Sequence, residues 1–281
     1  MNTCLFVSDL HGKMSRYEAL LKLIRKEKPD FVFIGGDLLP HHPVHHTSNL
    51  SQNNFVSDFL IRKFTSLKNK MECNYPEIFL IPGNDDHKAL FDAFNKGERD
   101  DLWRNLHRLC VVTGKYRFYG YACVPPTPFR IKDWERYDIS KELGPGCLAP
   151  AEGYHSVPPD FNAENDTIQS EIKDLVNDDN LEFSIFLFHS PPFDTFLDQA
   201  EIDNTKVLSV GSKAIRNFIE DKKPYITLHG HIHESVRISG EWKQSFGRTW
   251  SFSAAHDGPE LSVIKFELHD PHSATRRLIK T

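Results

Sequence analysis

The chain is 281 residues long, 39% hydrophobic and 26% charged, with a formal net charge of −5 at pH 7. Those proportions are ordinary for a globular protein, and the length holds one large α/β domain or two small ones. The acidic balance argues against general binding to nucleic acid or anionic membranes, and it leaves room for a small phosphorylated substrate.

Thr3-Cys4-Leu5-Phe6-Val7 is an apolar run with β-branched and aromatic character, and it predicts a buried strand ending in Ser8-Asp9-Leu10-His11-Gly12. Asp9 and His11 stand two apart, so an extended backbone sends both side chains to one face. A carboxylate oxygen and an imidazole nitrogen then meet at a strand mouth, which is half a metal site. Residues 14–28 carry Tyr17, Leu20, Leu21 and Ile24 at helical spacing, and Pro29 stops that helix. Asp30-Phe31-Val32-Phe33-Ile34 predicts a second buried strand, closing in Gly35-Gly36-Asp37. Strand, helix and strand in this order make a parallel βαβ unit. Asp37 then shares the carboxyl edge of the sheet with Asp9 and His11, where open α/β sheets place their sites.

A loop with His41, His42, His45 and His46 follows, then a helix over residues 53–70. Glu77-Ile78-Phe79-Leu80-Ile81 predicts a third strand, ending in Pro82-Gly83-Asn84-Asp85-Asp86-His87, with a short helix over 88–96. Alternation over 108–125 predicts antiparallel strands, and Val124-Pro125-Pro126-Thr127-Pro128-Phe129 a stiff turn. Residues 132–166 are rich in Pro, Gly and charge without a period, and they predict a long irregular surface insertion, a candidate lid. A helix returns over 166–175. Phe183-Ser184-Ile185-Phe186-Leu187-Phe188 is the fourth strand, ending at His189-Ser190-Pro191-Pro192. A helix through Ala214, Ile215, Phe218 and Ile219 is stopped by Pro224. Tyr225-Ile226-Thr227-Leu228 is the fifth strand, ending in His229-Gly230-His231-Ile232-His233. Strands near 236–239, 248–254 and 261–267 predict an antiparallel closing sheet. No repeat or composition break divides the chain, so residues 1–281 are expected to form a single domain.

No apolar run approaches the ~20 residues of a membrane span, and the N-terminus shows no secretory leader. A cytoplasmic protein is expected. Cys4, Cys73, Cys110, Cys123 and Cys147 are scattered without a CxxC pair, so they read as reduced packing residues.

Five buried strands thus end in Asp9/His11, Asp37, Asn84, His189 and His231/His233. One His after a strand is more often a turn residue than a ligand. Five such ends in succession are another matter. Mixed imidazole and carboxylate ligands suit Zn, Fe or Mn rather than a Ca or Mg cage. Seven side chains exceed what one ion holds and match two ions sharing a bridging carboxylate.

Asp9-Leu10-His11, Gly36-Asp37, Gly83-Asn84-Asp85-Asp86, His189 and Gly230-His231-Ile232-His233 resemble the five motifs of the calcineurin-like metallophosphoesterases: D-x-H, G-D, G-N-H-[DE], H and G-H-x-H. The stretches His189-Ser190-Pro191-Pro192-Phe193-Asp194-Thr195, Val210-Gly211-Ser212-Lys213-Ala214-Ile215-Arg216, Gly230-His231-Ile232-His233-Glu234-Ser235 and Pro125-Pro126-Thr127-Pro128-Phe129 also resemble a cyclic-nucleotide-phosphodiesterase-like, Icc-related branch. The resemblance implies a four-layer α/β/β/α sandwich. It implies two metal ions, Mn, Fe or Zn, with Asp9, His11 and His233 on one, Asn84, His189 and His231 on the other, and Asp37 bridging. The implied activity is phosphoester hydrolysis, of diesters before monoesters, by in-line attack of a metal-bridging hydroxide on phosphorus. The Asn84 amide offers an acceptor to metal and a donor to a phosphate oxygen.

The chain departs from the motif at Asp85, where the family has a His that protonates the leaving oxygen or stabilises charge there. A carboxylate beside phosphate repels it unless protonated or facing a cation. Three readings stay open: Asp85 is itself the acid, with a raised pKa; His41, His42, His45, His46 or His87 reaches in; or no acid is present and good leaving groups are preferred. The last two together are favoured, with His41 singled out because it lies one turn beyond Asp37. Asp86, which in the motif supports the His, is open with it. Phe193, four residues beyond His189, and Phe129 are candidate substrate contacts. Phe129, Trp134 and Tyr137 read first as ties between insertion and body, and second as stacking surfaces. His229 is expected to pack or to orient a ligand, and His256 to have a core or loop role. The rivals are a nuclease or phosphomonoesterase on the same site, and a scaffold without catalysis that engages a protein partner. The acidic balance counts against the nuclease. The intact ligand set counts against the scaffold, because idle buried polar groups are costly; the missing His counts for it.

Overall fold

In β1 (Thr3–Val7), β2 (Phe31–Gly35) and β3 (Glu77–Ile81), successive side chains enter two different cores. Cys4, Phe6, Phe31, Phe33, Phe79 and Ile81 face one; Leu5, Val7, Val32, Ile34, Ile78 and Leu80 face the other. Parallel strands apolar on both faces need cover on both. The computed structural model, which describes residues 2–40, 55–162, 165–177, 179–202 and 206–281, shows what covers them.

The helices Met14–Glu27 and Arg62–Met71 bury Tyr17, Leu20, Ile24, Phe64 and Leu67 on one face of the first sheet. The other face meets a second sheet, and Phe118 packs among Phe31, Phe33 and Phe79 with ring centroids 4.9, 5.6 and 4.9 Å away. With β4 (Arg104–Asn105), β13 (Leu261–Glu267) and β14 (Asp270–Ile279), the first sheet runs β14-β13-β1-β2-β3-β4. The second contains β5 (Leu109–Thr113), β6 (Tyr116–Tyr121), β7 (Ser184–Phe188), β10 (Ile226–His229), β11 (Lys243–Phe246) and β12 (Thr249–Ser253), in the order β11-β12-β10-β7-β6-β5. Gln199–Ile202 and Lys206–Ser209, β8 and β9, pair separately. The helices Ile168–Val176 and Lys213–Lys222 cover the outer face of the second sheet, with Phe218 edge-on to Phe186 at 4.8 Å. The layers are α/β/β/α. No helix among the described residues is long and apolar enough to cross a membrane.

The C-terminal third departs from expectation. Residues 236–239 lie in a helix, Ser235–Ser239, rather than a strand. Gly240, at φ 77°, ends it as a left-handed cap, and Ser239 Oγ donates to the Ser235 carbonyl. Among the described residues there is no separate antiparallel closing sheet. β12 joins the second sheet, parallel to β10, while β13 joins the first, antiparallel to β1. Both are buried enough to belong in sheet interiors. β14 was not legible, because its edge position leaves a largely polar sequence. The segment 55–71 is helical as expected, but its first part, Phe55–Ile61, is a π-helix.

His107 gives this fold an acid-sensitive point. Its Nδ1 accepts from the Ala122 amide at 3.0 Å, so the ring is neutral with its proton on Nε2. Burial, then the charges of Arg136, Arg108 and Lys88, push its pKa down to about 3. The folded state therefore binds fewer protons than the unfolded one between about 6.5 and 3. Its stabilisation is present above 6.5 and is lost as pH falls toward 3. Urea unfolding at pH 7 and 4.5 should show wild type losing about 2 kcal/mol more than His107→Gln over that interval. Equal losses would refute the assignment.

Candidate metal centre

β1 stops at Val7, and the loops that follow leave the extended conformation. Asp9 (φ 57°), His11 (φ 46°), Asp37 (φ 50°) and His231 (φ 73°) are all left-handed. Asp9 and His11 therefore converge through a turn, not through strand alternation. Such residues are strained, and surrounding contacts must hold them. The Asp9 amide donates to the Gly36 carbonyl at 3.0 Å and the His11 amide to the Asp37 carbonyl at 2.7 Å, so the first two loops fix each other. Close approach explains the glycines. A Cβ at Gly83 would collide with the Asp37 carboxylate, and one at Gly36 with His189 Nδ1.

Two sets of ligand atoms result, each within 4.8 Å: Asp9, His11, Asp37 and His233, and Asp37, His189 and His231. Asp37 belongs to both. His11 Nε2 and His233 Nε2 face each other at 3.0 Å, and Asp9 Oδ1 lies 3.4 Å from His233 Nε2. His189 Nδ1 donates to the Gly35 carbonyl at 2.7 Å, which leaves Nε2 of the neutral ring with only a lone pair. That lone pair faces Asn84 Oδ1 at 3.0 Å and Asp37 Oδ2 at 3.4 Å. Asn84 Nδ2 turns away, donating to Asp85 Oδ1 at 3.1 Å. Asn84 thus lies against the second set, and the seven side chains singled out in the sequence lie together.

Imidazole and carboxylate groups that converge this closely could hold a cation. Burial alone would raise Asp9, yet its hydrogen bond to His233 and that ring's charge lower it to about 2. Asp37 is likewise held below the carboxylate range against burial, by His189 and His11. Burial would lower His189, but Asp37 raises it to about 9. Without an ion, protons gather on rings that face carboxylates. Asp9 Oδ2 is buried with no hydrogen-bond partner among the described residues. The set fits metal ions.

A model of the calcineurin-like phosphoesterase family matches residues 3–235. The chain belongs to this family. An uncharacterised protein of Methanocaldococcus jannaschii is 26% identical over 231 residues, covering 82% of this chain and 79% of the relative. Among solved structures, TT1561 of Thermus thermophilus is similar at a TM-score of 0.56 and 15% identity, over 99% of each chain. A dimetal phosphatase from Danio rerio is similar at 0.52 and 11% identity, over 94% of this chain and 92% of that one. These identities speak for a shared fold. Family membership makes this chain a metal-dependent phosphoesterase.

At the position of the calcineurin-like motif's His, Asp85 accepts from Asn84 and brings Oδ2 to 3.8 Å from His11 Nδ1. Burial, then Asp37 and Asp86, push it above the usual carboxylate range. Asp86 turns the other way. Its carboxylate accepts from the amides of Leu38 (3.0 Å), Leu39 (2.8 Å) and Gly83 (2.8 Å). Burial and Asp37 push it upward, while those three donors favour the charged form. It ties the Asp37 loop to the Asn84 loop. The His87 ring is 6.0 Å from Tyr154, in the insertion. His41, His42, His45 and His46 lie outside the described residues.

Phe193 lies beneath Lys213, whose Nζ is 5.3 Å from its ring, and Phe129 is exposed. Tyr137 bridges to Thr167. His229 stays out of the ligand sets: its ring hydrogen-bonds the Ser190 carbonyl and Thr227 Oγ1 at 2.9 and 2.8 Å, and it stacks on Phe188. His256 pairs with Glu260 at 3.2 Å. Two supports were missed from sequence. Arg16 is buried and donates to the carbonyls of Asp9 (2.8 Å) and Gly258 (2.5 Å). Residues 132–136, placed in a surface insertion with only Trp134 among them read as a tie to the body, are all buried. A charged run carries no signal for burial unless its partners are known.

Proposed function

We propose that this chain is a dinuclear-metal phosphoesterase that prefers phosphodiesters. The observation that carries the dinuclear reading is the shared position of Asp37, one carboxylate facing two ligand sets. Two ions there would supply the nucleophile near neutral pH and offset charge on the attacking and leaving oxygens of an in-line displacement. The chain's own residues do the rest. Asn84 holds its amide oxygen toward His189, and the hydrogen bond to Asp85 fixes the amide's orientation. Asp9 and Asp37 keep negative charge at this place, while burial pushes Asp85 and Asp86 toward the protonated form. A diester carries one negative charge at neutral pH and a monoester close to two, so the diester is repelled less. Without a His at position 85, leaving groups that need no proton are favoured. The mildly acidic net charge leaves room for a small phosphorylated substrate, and five free cysteines fit a reducing cytoplasm.

The test is hydrolysis of bis(p-nitrophenyl) phosphate against p-nitrophenyl phosphate, with added Mn²⁺, Zn²⁺, Fe²⁺ or Co²⁺. Diester turnover should exceed monoester turnover and depend on metal. Faster monoester turnover would overturn the diester preference. No turnover with any of these metals would remove the catalytic reading altogether.

A further inference from the structure

The metal-binding loops are braced from outside by a buried segment that no motif includes. Lys132, Asp133, Trp134, Glu135 and Arg136 are consecutive and buried, although four of them are charged. Each has partners. Lys132 Nζ contacts Glu135 Oε2 at 2.6 Å, and Glu135 also accepts from the Thr127 amide and hydroxyl at 2.9 and 2.5 Å. Asp133 accepts from the Lys88 amide, the Ser156 amide and the Ser156 hydroxyl. Ser156 Oγ in turn accepts from the Ala89 amide at 3.0 Å. The segment is thereby pinned to the turn that follows Asn84-Asp85-Asp86-His87.

Between those anchors Trp134 reaches in. Its indole N–H donates to the Asp86 carbonyl at 2.7 Å, and both residues are buried. The same Asp86 spreads its carboxylate over the amides of Leu38, Leu39 and Gly83. One residue is therefore held at its carbonyl by the insertion, and at its carboxylate holds the two loops that carry Asp37 and Asn84. We infer that Trp134 is a positioning residue: through Asp86 it sets the spacing between Asp37 and Asn84, and residues 132–136 are a brace for the centre rather than a lid. This rests on the dinuclear reading for its purpose, but the brace itself is a property of the metal-free chain.

Removing the N–H leaves a buried carbonyl without a donor and frees Asp86 to shift. Partners behind a metal's ligands change affinity or activity by about 10- to 100-fold when lost. The test is Trp134→Phe in the full-length protein, with a second variant carrying β-(3-benzothienyl)alanine at position 134, which keeps the indole's shape and lacks its N–H. Hydrogen exchange of the metal-free proteins should show faster exchange at the Leu38, Leu39 and Gly83 amides in both variants. Calorimetry should show Mn²⁺ affinity weaker by about 10-fold or more. With a nitrophenyl diester, kcat should fall while KM holds. A lower melting temperature with unchanged amide exchange and unchanged Mn²⁺ affinity would overturn the inference and leave Trp134 as packing only. Wild type that binds Mn²⁺ without turning over any ester would refute the functional proposal, while the exchange and affinity readouts would still decide the brace.

Discussion

Asp37→Asn is expected to abolish metal-dependent diester turnover, by more than about 100-fold, while leaving the fold intact. The geometry makes the effect specific. Asp37 Oδ1 already accepts from the Asp85 amide at 2.9 Å, and an asparagine carbonyl can keep that bond. The new amide nitrogen must then take the Oδ2 position, 3.4 Å from His189 Nε2 and 3.8 Å from His11 Nε2. An acceptor common to both ligand sets becomes a donor that hydrogen-bonds the imidazoles, and negative charge is lost between two sites that need it. The metal-free variant should fold but be somewhat less stable than wild type, because His189 and His11 hold the Asp37 carboxylate in its charged form and that pairing is lost. The separation shows in melting curves. Mn²⁺ at 100 times its Kd stabilises a folded protein by about 2.7 kcal/mol, so the wild-type melting temperature should rise with Mn²⁺ and the variant's should not. A variant that still gains stability from Mn²⁺ and turns over the diester would disprove the bridging role.

The fold, and the gathering of the polar strand ends at one place, were legible for a simple reason. Each predicted ligand follows a strand that is apolar on both faces, and the polar residues at the end of such a strand stand out. Backbone handedness was not legible. Asp9 and His11 were placed by strand alternation, but both are left-handed, and the hydrogen bonds that hold them there come from Gly36 and Asp37, 26 or more residues away. The supports were hidden for the same reason. The role of Asp86 stayed open with that of Asp85, yet it holds Leu38, Leu39 and Gly83. Lys132, Asp133, Glu135 and Arg136 fell in a segment read as a surface insertion, because the sequence does not show that Thr127, Lys88, Ser156 and Glu171 meet it. The short helix at Ser235–Ser239 was misread for the opposite reason: Val236-Arg237-Ile238-Ser239 alternates locally, but the glycine behind it closes a helical turn.

Restoring the family's histidine separates the metal chemistry from the proton. Asp85→His should raise kcat on diesters with poor, alkoxide leaving groups by about 10²-fold and leave bis(p-nitrophenyl) phosphate within a few-fold, because a general acid contributes about 10²–10⁴ only where the leaving oxygen needs a proton. Two local facts favour the gain. The side chain at 85 already points into the centre, with Oδ2 3.8 Å from His11 Nδ1. Any charge that Asp85 carries sits beside Asp37 and Asp86, so its removal relieves that repulsion. One contact opposes it: Asn84 Nδ2 loses its acceptor at 3.1 Å, which should loosen the amide and weaken Mn²⁺ binding slightly. The comparison is therefore made at saturating Mn²⁺, as a ratio of kcat values on alkyl and nitrophenyl diesters for each protein. A ratio that rises with Asp85→His means the wild-type centre lacks an acid and depends on good leaving groups. A ratio that falls means Asp85, kept protonated by its neighbours, is itself the acid, and the charge that looked like a defect in the motif is a substitute for it.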